Sequence, residues 1–447
     1  MSDFQVVIIG AGPAGIFAAL TLTQAGVDRI LMVEQGRSIN HRCNSRKPDI
    51  LTGWGGAGAF SDGKLTLSPE VGGFLGELIP PERLAAALDR SDRLWLDFGA
   101  PDEIFGGGPD QIEAFQLQAR LAGMSFVPSP VRHIGTETCR SLLSAIQAHL
   151  SDRCEIRTGT RAREILAREG VLEGVRLEDG RVVKAETVIC APGRVGNEWM
   201  RRQADALGLA RRPNPVDIGV RLEAPAAILT PLTEVFYESK LIYYTATFDD
   251  KVRTFCMNPF GEVVVEKAGD LISVNGHSYA KKRTNNTNFA LLVSATFTEP
   301  FDDPVAYGRS IAKLANLLGG GVIVQRLGDL QAGRRSTEER LERCLTRPTL
   351  AQATPGDLSF VLPYRILKDI MEMIEAMDRI TPGLADRHTL LYGVEVKFYS
   401  QRVELSPDLE TAIPGLFVIG DGAGITRGLL QASASGIIAA EAALARS

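Results

Sequence analysis

Three glycines in Gly10-Ala11-Gly12-Pro13-Ala14-Gly15 stand at the spacing G-x-G-x-x-G, and Glu34 follows 19 positions after Gly15. That spacing suits a nucleotide diphosphate. Gly10 makes the tight turn, Gly12 lets a pyrophosphate approach the backbone, and Gly15 lets a helix close on a strand. A helix starting at Pro13 and Ala14 turns its free N–H groups and the positive end of its dipole toward the phosphates. The Glu34 carboxylate is placed to accept both ribose hydroxyls. The elements this needs are present: FQVVIIG at 4–10 is a buried-strand run, 13–26 has helical composition, and RILMVE is a second strand ending at Glu34.

A dinucleotide carrying a second ring system must be held along its whole length, and two later segments serve that need. TVICAPG at 187–193 is a strand ending in the small turn Ala191-Pro192-Gly193. Ile419-Gly420-Asp421-Gly422-Ala423-Gly424 puts an aspartate at a strand end, just before a helix that begins near Gly428. Here the chain resembles FAD-binding proteins of the glutathione-reductase type. The resemblance implies that Asp421 holds ribityl hydroxyls and that the helix N-terminus at Arg427, Gly428, Leu429 and Leu430 faces the flavin, where its dipole favours the anionic reduced ring. Gln35, Arg42 and Ala162 complete the residues assigned to this cofactor, which is expected to be bound noncovalently.

TGWGGAGAFSDGKLT at 52–66 packs five glycines into one run. Glycine costs backbone entropy and adds no packing, so bare backbone must be needed there. In such folds the chain after the acidic strand returns to the cofactor. The N–H groups of Gly55, Gly56 and Gly58 are therefore expected to touch it directly, with Ser61, Asp62 and Lys64 nearest the ring. Lys64 is not the lysine of a triphosphate-binding loop, because Leu65 follows it where Ser or Thr is required.

The remaining pattern gives an α/β fold class: a Rossmann-like, discontinuous FAD-binding domain at 1–208 and 386–447, with an inserted β-rich α+β substrate domain at 209–385. A helix is expected over 136–151, followed by the strands CEIRTGT, VLEGVRLED and VVKAETVICAPG. The insertion reads as longer strands, EVFYESKLIYYTATF and VRTFCMNPFGEVVVE, with turns at Asp249-Asp250 and Pro259-Phe260-Gly261. GLFVIG and a small-residue helix then return to the first domain.

The 447 residues are 45% hydrophobic and carry a net charge of -5, which leaves no basic field for a nucleic acid. No apolar run reaches the roughly 18 residues of a membrane-spanning helix, and the N-terminus lacks a secretory pattern. Six cysteines without a CxxC pair fit a reducing cytoplasm.

From end to end the chain resembles a family of FAD-dependent dehydrogenases of bacteria and archaea. The match rests on GGAGAFSDGKLT at 55–66, SVNGHSYA at 273–280, NTNFALLVS at 286–294, QRLGDLQAGRRST at 325–337, PGDLS at 355–359, LLYGVEVKFYS at 390–400 and GDGAGITRGLLQASASG at 420–436. It implies a two-domain flavoprotein with bound FAD and redox activity, and no particular substrate. The chain departs from its relatives in its cysteines. It has Cys43 alone before the glycine loop and reads Cys256-Met257-Asn258-Pro259-Phe260-Gly261 where they carry a CxCPGG-like turn.

No second G-x-G-x-x-G follows a strand, so NAD(P)H is expected only as a transient electron donor. The expected activity is hydride transfer between bound flavin and a small organic substrate, as a dehydrogenase or reductase. A flavin-dependent tRNA-modifying protein is the alternative from another class, against which the acidic balance argues. Among the monooxygenase and oxidase alternatives, an aromatic monooxygenase is disfavoured, because APGRVGNEW lacks the Asp-Gly those enzymes carry. The catalytic candidates are His277 as acid or base by residue type, Arg427 for a substrate carboxylate or the reduced ring, and Lys64. Arg334 and Arg335 read more simply as a salt-bridged helix start with Glu338 and Glu339, and Lys397 and Tyr399 share one face of a strand.

Overall fold

The N-terminal apolar run forms the strand Phe4–Ile9 in the centre of a sheet of the computed structural model, which describes residues 2–43, 51–61, 63–268, 271–278, 283–297, 301, 303–398 and 401–446. Two units partition the chain: Met1–Ile104, Arg132–Asn214 and Ser400–Ser447 make one, Phe105–Val131 and Pro215–Tyr399 the other.

In the first unit, five parallel strands run in the order Glu155–Thr158, Ile30–Glu34, Phe4–Ile9, Val182–Cys190 and Leu416–Val418. Parallel strands need both faces covered, which is why Val7, Ile8, Leu31, Met32, Val188 and Ile189 are all buried. The helices Pro13–Gln24 and Leu429–Arg446 pack on one another through small residues: a Cβ on Gly436 would stand 2.1 Å from Ala14 O. The start of Val182–Cys190 leaves the parallel set and pairs antiparallel with Val171–Leu177, which pairs in turn with Ala162–Arg168. That last strand is absent from the sequence reading, where its buried and exposed residues do not alternate cleanly. The helix Thr136–Ser151 and the return strand and helix stand where the sequence places them.

The second unit is an eight-stranded sheet, antiparallel except at one edge, where Ile323–Arg326 and Thr354–Pro355 run parallel. Its apolar face, with Ile218, Val220, Leu222, Leu291 and Val293, packs under the helices Pro304–Gly319 and Tyr364–Asp378. Three boundaries differ from the sequence reading, the first in that this unit's long segment begins at Pro215 rather than at 209. Met124–Val127 joins this unit as the edge partner of Lys240–Tyr244, and Leu390–Lys397 is an inner strand beside Val216–Pro225. One expected strand is a helix at its start: Ala226–Phe236 buries Leu229, Leu232 and Phe236 at helical spacing, and Tyr237, at φ +55, ends it before the strand begins at Lys240.

Candidate functional site

The three motif glycines have different work. A Cβ on Gly10 would stand 2.1 Å from Ala191 O, and one on Gly15 would stand 2.0 Å from Gly10 O, so both positions are closed by backbone. At Gly12 a Cβ would meet nothing within 4 Å. This opening lies at the N-terminus of Pro13–Gln24, where amide groups without carbonyl partners are available to a phosphate.

Glu34 is 6% exposed and accepts three backbone N–H groups: Ala11 at 2.8 Å on Oε2, and Gly36 at 2.8 Å and Gly53 at 2.9 Å on Oε1. A carboxylate has about four lone-pair positions, so one remains, on Oε2. The expectation that Glu34 accepts both ribose hydroxyls is thus narrowed to one further donor. Beside it lies a cavity of about 640 Å³ lined by Gln35, Gly36, Arg37, Thr52, Arg161 and Val195. Gln35 Oε1 accepts from Arg161 Nε at 3.1 Å.

The glycine-rich loop sits on the dinucleotide turn, and its glycines are explained by close packing. Gly55 N donates to Ala11 O at 2.7 Å, and Gly56 N to Gly53 O at 2.8 Å. These two amides are engaged inside the protein, which corrects the expectation that they contact the cofactor. A Cβ on Gly55 would stand 2.5 Å from Leu143 Cδ1, one on Gly56 3.2 Å from Gly12 Cα, and one on Gly58 2.8 Å from Leu429 Cδ2. Gly55 and Gly56 also lie at φ +82 and +55, where side chains are strained. The Ser61 hydroxyl donates to Gly58 O at 2.9 Å and accepts from Gly63 N, fastening the end of the loop. Asp62 lies outside the described residues. Lys64 is half-buried on the short strand Lys64–Thr66.

Arg42, expected at the cofactor, is 2% exposed and serves the loop. It donates to Trp54 O at 2.6 Å and Gly56 O at 3.0 Å, and its guanidinium lies 5.0 Å from the Phe60 ring centroid. Ala162 is a buried residue at the start of its strand.

The other two segments reach the same turn. A Cβ on Gly420 would come within 3.0 Å of Ala14 Cβ, and one on Gly422 within 2.5 Å of Pro192 Cγ and 3.0 Å of Gly193 N. Asp421 is half-buried, accepts from Thr426 Oγ1 at 2.7 Å, and pairs at 3.7 Å with Arg194. Arg427 N donates to Gly72 O at 2.6 Å, and Gly73 pairs with Thr426, so the approach to Leu429–Arg446 is tied to the segment 72–73. Gly428, Leu429 and Leu430 open that helix as expected. Arg161, Arg194 and Thr426 escaped the sequence reading because each lies in a turn or strand end with no periodic signal.

Among the described residues there is no disulfide and no group of three metal-ligating side chains. Burial pushes the Cys154 thiol up to about 11 and that of Cys190 higher still, so neither is a thiolate at neutral pH.

In the second unit His277 ends the strand Leu271–His277, exposed and opposite Glu262. Lys397 is buried and bonds Glu395 at 3.0 Å and Glu266 at 3.3 Å, within a network where Arg221 holds Glu395 at 2.8 and 2.9 Å. Burial alone would lower its pKa, but Glu395 and Glu266 hold it above the ordinary lysine range. Its companion Tyr399 lies outside the described residues. Arg334 pairs with the buried Asp329 at 3.0 Å rather than with Glu338 or Glu339. Burial raises Asp329, but bonds from Arg326, Ser336 and Arg334 outweigh it and bring the carboxyl down to about 2. QRLGDLQAGRRST is therefore an internal clamp, and Arg335 contributes its carbonyl to Arg340.

Residues 5–290, more than half of the chain, match the family described as FAD dependent oxidoreductase. Residues 216–398 match the C-terminal domain-like family of FAD-dependent proteins, one residue inside each end of the second unit's long segment. Residues 350–447 match glucose inhibited division protein A. A Clostridium beijerinckii protein described as uncharacterized is 28% identical over 97% of this chain and 80% of its own length. Protein FixC of Escherichia coli strain K12 is 26% identical over 51% of this chain and 45% of its own length. Among solved structures, pyridoxine 4-oxidase is similar with a TM-score of 0.43 and 14% identity, covering 98% of this chain and 99% of that one. No described helix is long and apolar enough to cross a membrane. With the matched stretch containing Gly12, Glu34 and the glycine loop, the chain belongs to the FAD dependent oxidoreductase family, and it is an FAD-dependent enzyme.

Proposed function

We propose that FAD binds noncovalently in the first unit, in the manner of glutathione-reductase-type flavoproteins, with its diphosphate at Gly12, its adenosine end in the cavity beside Glu34, and its ribityl chain at Asp421. The observation that carries this reading is the opening at Gly12, set between two glycines that backbone closes. The bound group supplies hydride or electron transfer. The chain's part is to hold it. Pro13–Gln24 directs free amides at the diphosphate, Glu34 offers one lone pair to a ribose hydroxyl, and Leu429–Arg446 directs a second N-terminus toward the ring. The reaction is hydride exchange with a small organic substrate. Arg427 is assigned to anionic charge beside the ring, and Lys64 and His277 remain proton-handling candidates.

Anaerobic mixing with NADH, NADPH and a panel of small metabolites tests this, with flavin absorbance as the readout. Rapid bleaching by a nicotinamide identifies a reductase; bleaching by a metabolite alone identifies a dehydrogenase or oxidase. A folded preparation that takes up no FAD when it is supplied in excess overturns the reading.

A further inference from the structure

We propose that Arg161 and Val195 form the slot for the nucleobase of the cofactor, and that Glu178 selects adenine there by accepting from its exocyclic amine. This rests on the placement of the adenosine end in the cavity beside Glu34 and adds the residues that recognise the base.

Every residue lining that cavity belongs to the first unit. Gln35 and Gly36 follow the strand Ile30–Glu34, and Gly159 and Arg161 follow Glu155–Thr158, which pairs parallel with it. Two parallel strands thus bring their C-terminal ends to one place, where sheets of this kind take their ligands. Arg161 and Glu178 stand just outside the antiparallel pair Ala162–Arg168 and Val171–Leu177, in which Ala162 lies opposite Leu177. The Glu178 amide extends that pair by donating to Arg161 O at 2.9 Å. Backbone therefore holds the two side chains next to one another.

The Arg161 guanidinium is engaged at its edge. Nε donates to Gln35 Oε1 at 3.1 Å, and Nη1 lies 3.9 Å from Glu178 Oε1. The N–H groups of a guanidinium point within its plane, so these contacts orient the plane without covering its faces. With 57% of the side chain exposed, a face remains open. Val195 is the one aliphatic side chain among the described lining residues, and it is 45% exposed. A guanidinium face and an apolar side chain on one cavity are the contacts that a flat conjugated ring uses, stacking on the first and burying area against the second.

Glu178 gives this slot a preference among bases. Its pair with Arg161 is loose at 3.9 Å, and an ionised carboxylate has about four lone-pair positions and no proton to give. It can accept from the 6-amino group of adenine. The 6-oxo group of hypoxanthine or guanine is itself an acceptor and is opposed there.

ADP, IDP and UDP differ only in the base, and each carries a diphosphate for the N-terminus of Pro13–Gln24. Titrated calorimetrically into the full chain freed of flavin, ADP should bind, with IDP and UDP each at least about tenfold weaker. Arg161→Lys keeps the charge and loses the plane. It should weaken ADP about tenfold and bring UDP level with it, while thermal unfolding stays near the wild-type temperature. Glu178→Gln supplies a donor for a 6-oxo group and should bring IDP to within about threefold of ADP. No ADP binding, equal affinity for the three diphosphates, ADP affinity unchanged in Arg161→Lys, or an unchanged ratio of ADP to IDP affinity in Glu178→Gln overturns the proposal. FAD uptake separates the two readings: a chain that takes up FAD and ignores the base sinks only this inference, whereas one that takes up no FAD sinks the cofactor assignment beneath it.

Discussion

Gly53 N donates to Glu34 Oε1 at 2.9 Å, so one buried carboxylate ties the glycine-rich loop to the end of the strand Ile30–Glu34. Glu34 Oε2 takes Ala11 N at 2.8 Å, which adds the dinucleotide turn to the same anchor. The residue that the sequence offers as a ribose ligand is thus also what holds three backbone segments in place.

Glu34→Gln should therefore affect fold and cofactor together. The amide keeps one acceptor oxygen and turns an NH2 toward either Ala11 N–H or the pair Gly36 and Gly53, leaving buried donors facing a donor. A stability loss of about 1–3 kcal/mol is expected, with weaker FAD retention, measured by thermal unfolding and by flavin released on acid precipitation. Wild-type values for both would remove Glu34 from the anchor.

Gly12→Val and Gly10→Ala should separate. A valine at position 12 meets no protein atom near its Cβ and fills the opening. The apoprotein should then unfold at its usual temperature while flavin is lost. Gly10→Ala drives a Cβ to 2.1 Å from Ala191 O at φ +98 and should cost several kcal/mol; roughly 2 kcal/mol or more is the scale of such core and backbone conflicts. Normal FAD content in Gly12→Val would contradict the placement of the diphosphate.

Asp421→Ala should leave the Thr426 hydroxyl without its acceptor and remove the carboxylate assigned to the ribityl chain. We expect faster FAD dissociation with a modest stability loss of about 1 kcal/mol, read by flavin fluorescence after dilution. Unchanged dissociation would show that the ribityl chain lies elsewhere.

Asp369 makes stability depend on pH. It is buried, Oδ1 accepts from Thr245 Oγ1 at 2.8 Å, and Oδ2 is buried without a donor. Burial, and next to it the Asp250 carboxylate, raise its pKa from 3.8 to about 6. Between these values the folded state retains a proton that the unfolded chain has released, so this group's contribution falls as pH rises through the window and is lowest above it. Asp250, lowered chiefly by its bonds to Arg365, acts in the opposite sense at more acidic pH. Asp369→Asn presents a permanent donor. It should stabilise the protein by about 1 kcal/mol at pH 8, with the gain shrinking toward pH 4. A mutational effect independent of pH, from urea unfolding at the two pH values, would exclude the mechanism.

Much of the candidate cofactor site could be read from residue order, because its parts are local. A strand, a G-x-G-x-x-G turn, a helix and an acidic strand end are specified within 31 residues, Phe4 to Glu34, by hydrophobic pattern and glycine spacing. The Asp421 segment is equally local. Tertiary packing alone decided which amides remain free: Gly55 and Gly56 look like ligand contacts until Ala11 O and Gly53 O take their N–H groups. It also turned Arg42 inward, because the desolvated carbonyls of Trp54 and Gly56 need a donor. The domain limits followed the same rule. Nothing within Met124–Val127 shows that it will complete a sheet edge over a hundred residues away, since pairing is set by the partner Lys240–Tyr244. The charges of the second unit behave likewise. Sequence supplies lysines and arginines, and only the register of strands shows that Arg253, Arg221 and Lys397 find acids.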